Sequence, residues 1–194
     1  MSFTIYDASI PPMMRMLANL SAILDKAVAQ KGTDLQPLLD ARLAPDMHPF
    51  VRQIQIASDA AKGCAARLME AEAPSFPDTE TTFPDLQARI AKTYHYLETA
   101  PREKFAGAED KNIVIKTPNR TFEMNGRDFV TTFALPNFYF HISTAYGLLR
   151  AKGVEIGKMD YLSGGATAGA ASKIGNSDVP DNMLALLTGL RAGK

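Results

Sequence analysis

The three histidines carry the most versatile chemistry in this chain. His48, His95 and His141 are its whole histidine content, and each falls in a segment with a helical pattern. Imidazole is the commonest side-chain ligand of transition metals, and helical bundles build metal sites from residues on facing helices. Convergence of these rings would therefore indicate a zinc, nickel or iron centre. Their wide separation in the sequence leaves a second interpretation open, in which they occupy unrelated surface or hydrogen-bonded core positions.

His141 and Asn137 form the most suggestive local pair. They lie four positions apart, which places them on one face of a helix. His141 follows the aromatic run Phe138 to Phe140, where a buried imidazole needs a hydrogen-bond partner. Two interpretations stay open: the pair binds an ion, a water molecule or a substrate group, or the amide and the imidazole bond to each other or to the backbone beside Pro136.

Two other reactive side chains are expected to be structural. His95 lies between Tyr94 and Tyr96, and Tyr94 shares the spacing of an apolar helix face, so His95 is expected at the flank of its helix or in solvent. Cys64 is the only cysteine and lies in an alanine-rich stretch, where a small buried residue is expected. A single cysteine excludes an intrachain disulfide and fits a reducing compartment, so the cytoplasm is the expected location.

Four segments with apolar residues at three- and four-residue steps predict the helices that position these groups. The first is bounded by a Ser9 cap, with Pro11 and Pro12 in its first turn, and ends at Gly32. The last is expected to be kinked or divided at Pro136. The predicted helices run from Pro11 to Lys31, from near Asp46 to Leu68, from Pro84 to Thr99, and from Gly126 or Arg127 to Lys152.

The pattern changes from helical spacing to alternation before the last helix. Ile113 and Ile115 alternate with the residues between them, and Pro118 with Asn119 offers a turn. A small β-hairpin over residues 111–124 is therefore expected. Because two strands alone are barely stable, this hairpin must pack on the bundle.

The chain is expected to form one domain followed by an appendage. Residues 1–164 contain the predicted bundle, and residues 72–82, which carry prolines and acids, are expected to be an exposed connection within it. Beyond the bundle the composition changes to small residues. Residues 165–194 are therefore expected to form a flexible linker and a short helix that begins near Asp181.

Composition excludes several function classes. Hydrophobic residues make up 46% and charged residues 22% of the 194 positions, as in ordinary globular domains. The 21 lysines and arginines balance 21 aspartates and glutamates, so the basic excess typical of nucleic-acid-binding proteins is missing. No run approaches the roughly 20 apolar residues of a transmembrane helix. Neither a nucleic-acid partner nor a membrane partner is expected.

Several stretches of the sequence together form a recognisable pattern. The chain opens with IYDASIPPMMRMLANLSAILDKA, from Ile5 to Ala27, its middle contains APDMHPFVRQIQIASDAAKG and FPDLQARIAKTYHYLET, and it closes with PNFYFHISTAYGLLRAKGVEIGKMDYLSG, from Pro136 to Gly164. This pattern, with its signature PNFYFHxxTAYxLLR, resembles an uncharacterised bacterial family of the DinB/YfiT-like superfamily. The resemblance implies a mainly α fold, an up-and-down four-helix bundle, here with the predicted β-hairpin before the last bundle helix. It also implies a homodimer as a frequent assembly.

Many members of that superfamily hold a metal with three histidines, one on the second helix and two, four residues apart, on the last. His141 resembles the second of that pair because Arg150 follows it at the expected distance. Asn137 then stands at the first position, and Gln53 matches the ligand on the second helix better than His48. Amide oxygens are weak ligands, so this set is expected to hold a divalent metal such as zinc, nickel or iron only weakly. If His48 turns inward, His48 and His141 with one amide oxygen form the alternative weak site.

The segment GVEIGKMDYLSG follows the last bundle helix and contains Lys158, Asp160 and Tyr161. Loops carry function disproportionately often, so these side chains are candidates for the mouth of a pocket. The alternative is a surface pair of Lys158 with Asp160 beside a tyrosine that packs on the bundle.

These observations lead to two hypotheses of different class. The first is a protein that binds a small molecule, or a weakly held divalent metal, in a bundle pocket around Gln53, Asn137 and His141, bordered by Lys158 and Asp160. If it is an enzyme, the superfamily analogy implies a metal-dependent transferase or hydrolase. The second is a non-catalytic dimerising module whose C-terminal helix docks on a partner subunit.

Overall fold

A computed structural model describes residues 2–117 and 119–164 of the chain. Four long helices form the body of the fold, accompanied by a two-stranded antiparallel hairpin and short helical turns. The expected mainly α bundle with a hairpin before its last helix is therefore confirmed. The α-helices are α1 (Ile5–Lys31), α2 (Gln36–Leu39), α3 (Phe50–Leu68), α4 (Phe83–Glu98), α5 (Gly126–Asp128), α6 (Leu135–Ala151) and α7 (Lys158–Ser163), and the 3₁₀ helices are Arg102–Phe105 and Ala108–Asp110.

Helix α1 begins earlier than the sequence predicts. Thr4 caps it, because its hydroxyl accepts from the Asp7 N–H while the Asp7 carboxylate accepts from the Thr4 N–H at 3.0 Å, a reciprocal arrangement that satisfies two unpaired donors. The expected Ser9 cap is wrong: Ser9 is fully buried and donates to the Ile5 carbonyl at 2.7 Å. Pro11 and Pro12 lie inside the helix. The predicted end is confirmed, with Gly32 as the C-cap at φ 58°.

Side-chain contacts at several levels of the bundle show the direction of α4 relative to α1 and α3. The Ser21 hydroxyl donates to Gln87 at 2.6 Å, and the Arg102 guanidinium, just beyond α4, binds Asp7 at the start of α1. Helices α1 and α4 are therefore antiparallel. The rings of Phe50 and Phe83 stack with centroids 5.8 Å apart, so α3 and α4 start at the same end and run in the same direction.

Helix α6 runs antiparallel to α3, since Gln53 near the start of α3 meets His141 on α6, and Arg67 near its end meets Phe129 just before α6. Within the confirmed bundle, the four long helices therefore run up, down, down and up rather than in strict alternation. The reason is the connection 69–82, which returns along α3: Asp78 on it binds Arg52. As predicted, the structure assigns no helix or strand to residues 72–82.

The core fills the space between these four helices with side chains from all of them. Small residues on α3, namely Ala57, Ala61 and Ala65, are completely buried, which lets neighbouring helices approach closely. Truncation of a buried leucine in such a core costs about 2–5 kcal/mol. The large buried side chains include Leu17, Leu24, Ile54, Leu86, Ile90, Phe138 and Ile142.

The hairpin consists of β1 (Asn112–Lys116) and β2 (Thr121–Asn125), paired so that Ile115 lies opposite Phe122. Ile113 and Ile115 point into the core with 4% exposure each, so the predicted hairpin and its dependence on the bundle are confirmed.

The segment before α6 departs from regular α-helical geometry, as the proline predicts. A π-helical stretch, Phe129–Ala134, separates α5 from α6, and Pro136 occupies the first turn of α6. Because proline has no N–H, the α-helical bond to the Thr132 carbonyl cannot form, and wide turns accommodate the loss. The irregularity lies just before Asn137 and His141, and α6 is regular where it carries them.

The predictions for residues 165–194, a linker and a short helix from Asp181, lie outside the described residues. Among the described helices, none combines the length and the apolar character that crossing a membrane requires.

Candidate functional site

His141 on α6 and Gln53 on α3 form the centre of the candidate site. The distance between His141 Nδ1 and Gln53 Oε1 is 2.6 Å, and the two residues are 8% and 1% exposed. Gln53 Nε2 donates in turn to the His48 carbonyl at 2.9 Å. The structure therefore brings together three of the residues that the sequence singles out, with the backbone rather than the side chain of His48 as the third member.

This chain of hydrogen bonds defines the tautomer of His141. The His48 carbonyl can only accept, so the nitrogen of the Gln53 amide must face it and the amide oxygen must face the imidazole. An amide oxygen is also only an acceptor, so His141 Nδ1 carries the proton. His141 Nε2 then holds a lone pair. Within the described part of the chain, no hydrogen bond to Nε2 is seen.

Burial and nearby positive charge keep His141 neutral. The pKa of His141 is lowered from its ordinary value of 6.5, first because burial disfavours the cation and then because His48 and Arg52 lie nearby. An uncharged imidazole is the form that binds a metal, accepts a hydrogen bond or takes up a proton. His141 is therefore in its reactive form at neutral pH.

The local sequence explains why a glutamine occupies this buried position. Pro49 is the N-cap of α3, and Phe50 anchors the first turn in the core with no exposed surface. Gln53 follows one turn later and enters the interface with α6. A buried amide costs free energy unless it is hydrogen-bonded, and both ends of this amide are.

Asn137 lies one turn before His141 and borders the site. It is half-buried, and no hydrogen bond from its side chain to a described residue is seen. The direct bond from Asn137 to His141 that the sequence left open is not formed, because His141 bonds to a residue on another helix. Phe140 stands edge-on to the imidazole at 5.2 Å and is 54% exposed.

The side chain of His48 is exposed and lies in the connection before α3, not on the helix. The expected helix start near Asp46 is wrong because a residue that precedes proline is held in extended backbone, and Pro49 follows His48. His95 lies on α4 with Nδ1 3.5 Å from Glu98 and takes no part in the His141 contacts. This flank position agrees with the sequence prediction.

Lys158 and Asp160 lie on α7, which packs on α1. Asp160 is almost completely buried, binds Lys26 of α1 and accepts the Gly157 N–H at 2.6 Å. Burial raises the pKa of this carboxyl, but the bonds from Lys26 and Gly157 outweigh burial and lower the pKa overall. Lys158 is exposed. No described contact joins either residue to the His141 site.

The donor atoms present suit a weak metal site at most. Among the described residues, no group of three or more histidines, cysteines, aspartates or glutamates is arranged to hold a metal ion. Gln53 Oε1 is engaged by His141, so it orients the imidazole instead of offering itself as a ligand. Cys64 is buried, and burial raises the pKa of its thiol to about 12. The remaining candidates are Nε2 of His141, the Asn137 amide and the exposed His48 imidazole.

Sequence reasoning missed a second polar cluster, between α3, α4 and the connection 69–82. Arg89 is 2% exposed and binds Asp59 at 2.8 Å, Asp78 at 3.1 Å and Glu80 at 3.0 Å. We call these four residues the Arg89 cluster. The available signal was the position of Arg89 one turn after Leu86, on the apolar face of α4, where an arginine must find carboxylates.

Comparison with known proteins identifies the family of the chain. A family model described as a domain of unknown function, DUF1993, matches residues 5–162. The structure is similar to a crystal structure of a DinB family member protein from Shewanella denitrificans, with 44% sequence identity, a TM-score of 0.75, and coverage of 82% of this chain and 92% of that one. No curated protein matches. The chain therefore belongs to the DUF1993 family, an uncharacterised DinB-like family of helical bundles.

Proposed function

We propose that the protein binds a small molecule, or a weakly held divalent metal ion, at the His141 site, which we define as His141, Gln53, Asn137 and the neighbouring His48. The observation that carries this proposal is the hydrogen-bonded chain from the His48 carbonyl through Gln53 to His141 Nδ1. It holds a neutral imidazole rigidly with one unused acceptor, Nε2. Support for an imidazole by an outer hydrogen bond is typical of metal and ligand sites.

The residues around Nε2 define what can bind. A small molecule offers Nε2 a hydrogen-bond donor and meets the Asn137 amide, which can both donate and accept. The ring of Phe140 supplies apolar surface beside the imidazole. A divalent ion would have one strong nitrogen ligand in His141, with His48 and the Asn137 oxygen as further candidates. Zinc, nickel and iron all accept such ligands.

Titration with Zn²⁺ and with Ni²⁺, followed by calorimetry and by NMR of the imidazole signals, tests the metal form of the proposal. Untagged protein should bind one ion weakly and shift the His141 signals. His141→Ala should abolish this binding, and His95→Ala is the matched control that removes a histidine outside the site. Equal binding by both variants would rule out His141 as a ligand.

For the small-molecule form, a fragment screen by ¹⁵N-NMR gives the readout. Hits that shift the amides of Asn137 and His141 in the native protein, but not in His141→Ala, support the proposal. If no fragment distinguishes the two proteins, and the metal titration also fails, the proposal is wrong. Lys158→Ala tests the predicted pocket mouth on α7. Because no described contact joins Lys158 to His141, this variant should bind the fragments like the native protein.

The second candidate function is a homodimerising module without catalysis. The observation that favours it is the exposure of two aromatic rings two turns apart, Phe133 at 37% in the π-helical stretch and Phe140 at 54% on α6, because neighbouring exposed rings can contribute to a protein contact surface. Light scattering of the native protein and of Phe133→Ser/Phe140→Ser tests it. A dimer that dissociates in the double variant supports this function, whereas a monomeric native protein excludes it. The same measurement on a chain ended at Gly164 tests the contribution of the C-terminal residues.

A further inference from the structure

A cleft of about 440 Å³ lies between α4 and the connection that precedes it. One wall is the face of α4 that carries Asp85, Ala88, Arg89 and Lys92, at the spacing of successive helical turns. The opposite wall contains Phe76 and Pro77. The cleft is thus a half-open groove lined by apolar side chains and by charged side chains from both walls, and it is separate from the His141 site.

The acidic groups of this cleft are already occupied. Glu80 accepts from the Arg89 guanidinium and from the Gln55 amide at 2.9 Å. Asp85 accepts from the Thr81 and Thr82 N–H groups at 3.1 and 3.0 Å as the capping carboxylate of α4. Carboxylates with such partners offer little to a cationic ligand, because a ligand would compete with hydrogen bonds that the fold already makes.

Two groups that line this cleft lack a hydrogen-bond or ion-pair partner among the described residues, and both are donors. Arg89 Nε is buried and has no hydrogen-bond partner in the described part of the chain, although the terminal nitrogens of the same guanidinium bind carboxylates. Lys92 is exposed and forms no ion pair within 4.0 Å with a described residue. A buried donor without an acceptor calls for an explanation, and here a cationic side chain lies one turn along the same helix face.

We propose that this cleft binds a small organic carboxylate. Its acid group binds the exposed Lys92 ammonium, and a small shift of the buried Arg89 side chain on binding lets Nε donate to the acid through one water molecule. Its apolar body lies against Ala88, Phe76 and Pro77. Donors without acceptors beside apolar side chains are complementary to an acid with a short hydrocarbon chain, and to neither a bare cation nor a neutral hydrocarbon.

The test uses two probes of equal chain length and opposite charge, hexanoate and hexylamine, added to ¹⁵N-labelled full-length protein. Hexanoate should shift the amides of Phe76, Ala88 and Lys92 in a saturable manner, and hexylamine should not. Lys92→Gln should weaken hexanoate binding about tenfold, the loss expected for one charge-assisted hydrogen bond. Because Lys92 is exposed, this variant should fold normally.

Lys158→Gln is the matched control, an exposed lysine on α7 outside the cleft, and it should bind hexanoate like the native protein. Absence of saturable shifts, equal shifts with hexylamine, or unchanged affinity in Lys92→Gln would each overturn the proposal. None of these results bears on the His141 site, since that site is tested by its own variants.

Discussion

The His141 site and the Arg89 cluster are both buried polar groups that involve α3, and they solve the problem of burial in different ways. At the α3–α6 interface, Gln53 and His141 are neutral and share one hydrogen bond at 2.6 Å, which leaves Nε2 unused. At the α3–α4 interface, Arg89 is charged and engages three carboxylates. The difference teaches that a neutral pair can stay buried with a single shared hydrogen bond, whereas a buried cation also needs carboxylates of its own fold, even where one of its donors stays unpaired.

Removal of the buried Arg89 cation should cause the largest loss in the free energy of unfolding. Arg89→Met keeps most of the side-chain volume but leaves Glu80, which is 10% exposed in its side chain, without its counter-ion. Loss of one partner of a buried ion pair costs about 3–5 kcal/mol. Because Asp59 and Asp78 are more than a third exposed and regain water, we expect the lower end, about 3 kcal/mol, in urea unfolding. A loss below about 1 kcal/mol would show that the cluster does not hold the connection to the bundle.

An intermediate loss in the free energy of unfolding is expected when the neutral pair of Gln53 and His141 is broken. Gln53→Leu leaves the His141 Nδ1–H and the His48 carbonyl without their partner, and an unsatisfied buried group costs about 1–3 kcal/mol. The proton on His141 should then redistribute between its two nitrogens, which ¹⁵N chemical shifts of the imidazole report. If His141 keeps its proton on Nδ1 in this variant, another group orients the ring.

The two regions should also differ in the pH range over which they contribute to stability. The folded-state pKa of His141 is below its ordinary value of 6.5, so its contribution is complete above that pH and is lost as the pH falls and the unfolded chain takes up the proton. Native protein should therefore lose more stability than His141→Gln between pH 7.5 and about 5.

The pKa of Glu80 is also lowered. Burial raises its pKa, but the bonds from Arg89 and Gln55 outweigh burial and hold the pKa below the ordinary value of 4.5. Its contribution therefore remains above about pH 4.5 and is lost only in more acidic solution. Denaturation of native protein, His141→Gln and Glu80→Gln across this range separates the two contributions. Coincident pH profiles for the two variants would contradict the comparison.

The smallest effects on stability are expected at Asn137, beside the His141 site, and at Lys92, near the Arg89 cluster. Neither side chain forms a hydrogen bond in the described part of the chain. Asn137→Ala and Lys92→Ala should each change the free energy of unfolding by less than about 0.5 kcal/mol, because substitutions away from buried networks are usually this mild. Thermal unfolding measures both. A large loss in Asn137→Ala would mean that its amide supports the fold rather than a ligand.

Sequence reasoning predicted a large part of the fold. Periodicity gave the four long helices and the hairpin, Gly32 gave the end of α1, and Pro136 gave the irregularity before α6. Helix starts were predicted less accurately. Helix α1 begins at its Thr4 cap, well before the prolines that suggested a later start. Helix α3 begins only after Pro49, because a residue that precedes proline is held in extended backbone. For the site, a buried His141 in need of a partner was foreseen, and the resemblance pointed to Gln53 on the second long helix.

The sequence by itself determined which faces are apolar, where chains must turn, and that a histidine in an aromatic run needs a hydrogen bond, because these follow from local geometry and from the cost of burial. Only the tertiary structure decided that α3 and α4 run in the same direction, that the partner of His141 is Gln53 rather than Asn137, and that Arg89 gathers Asp59, Asp78 and Glu80. Such pairings join residues distant in the sequence, and no local pattern records which helix faces another.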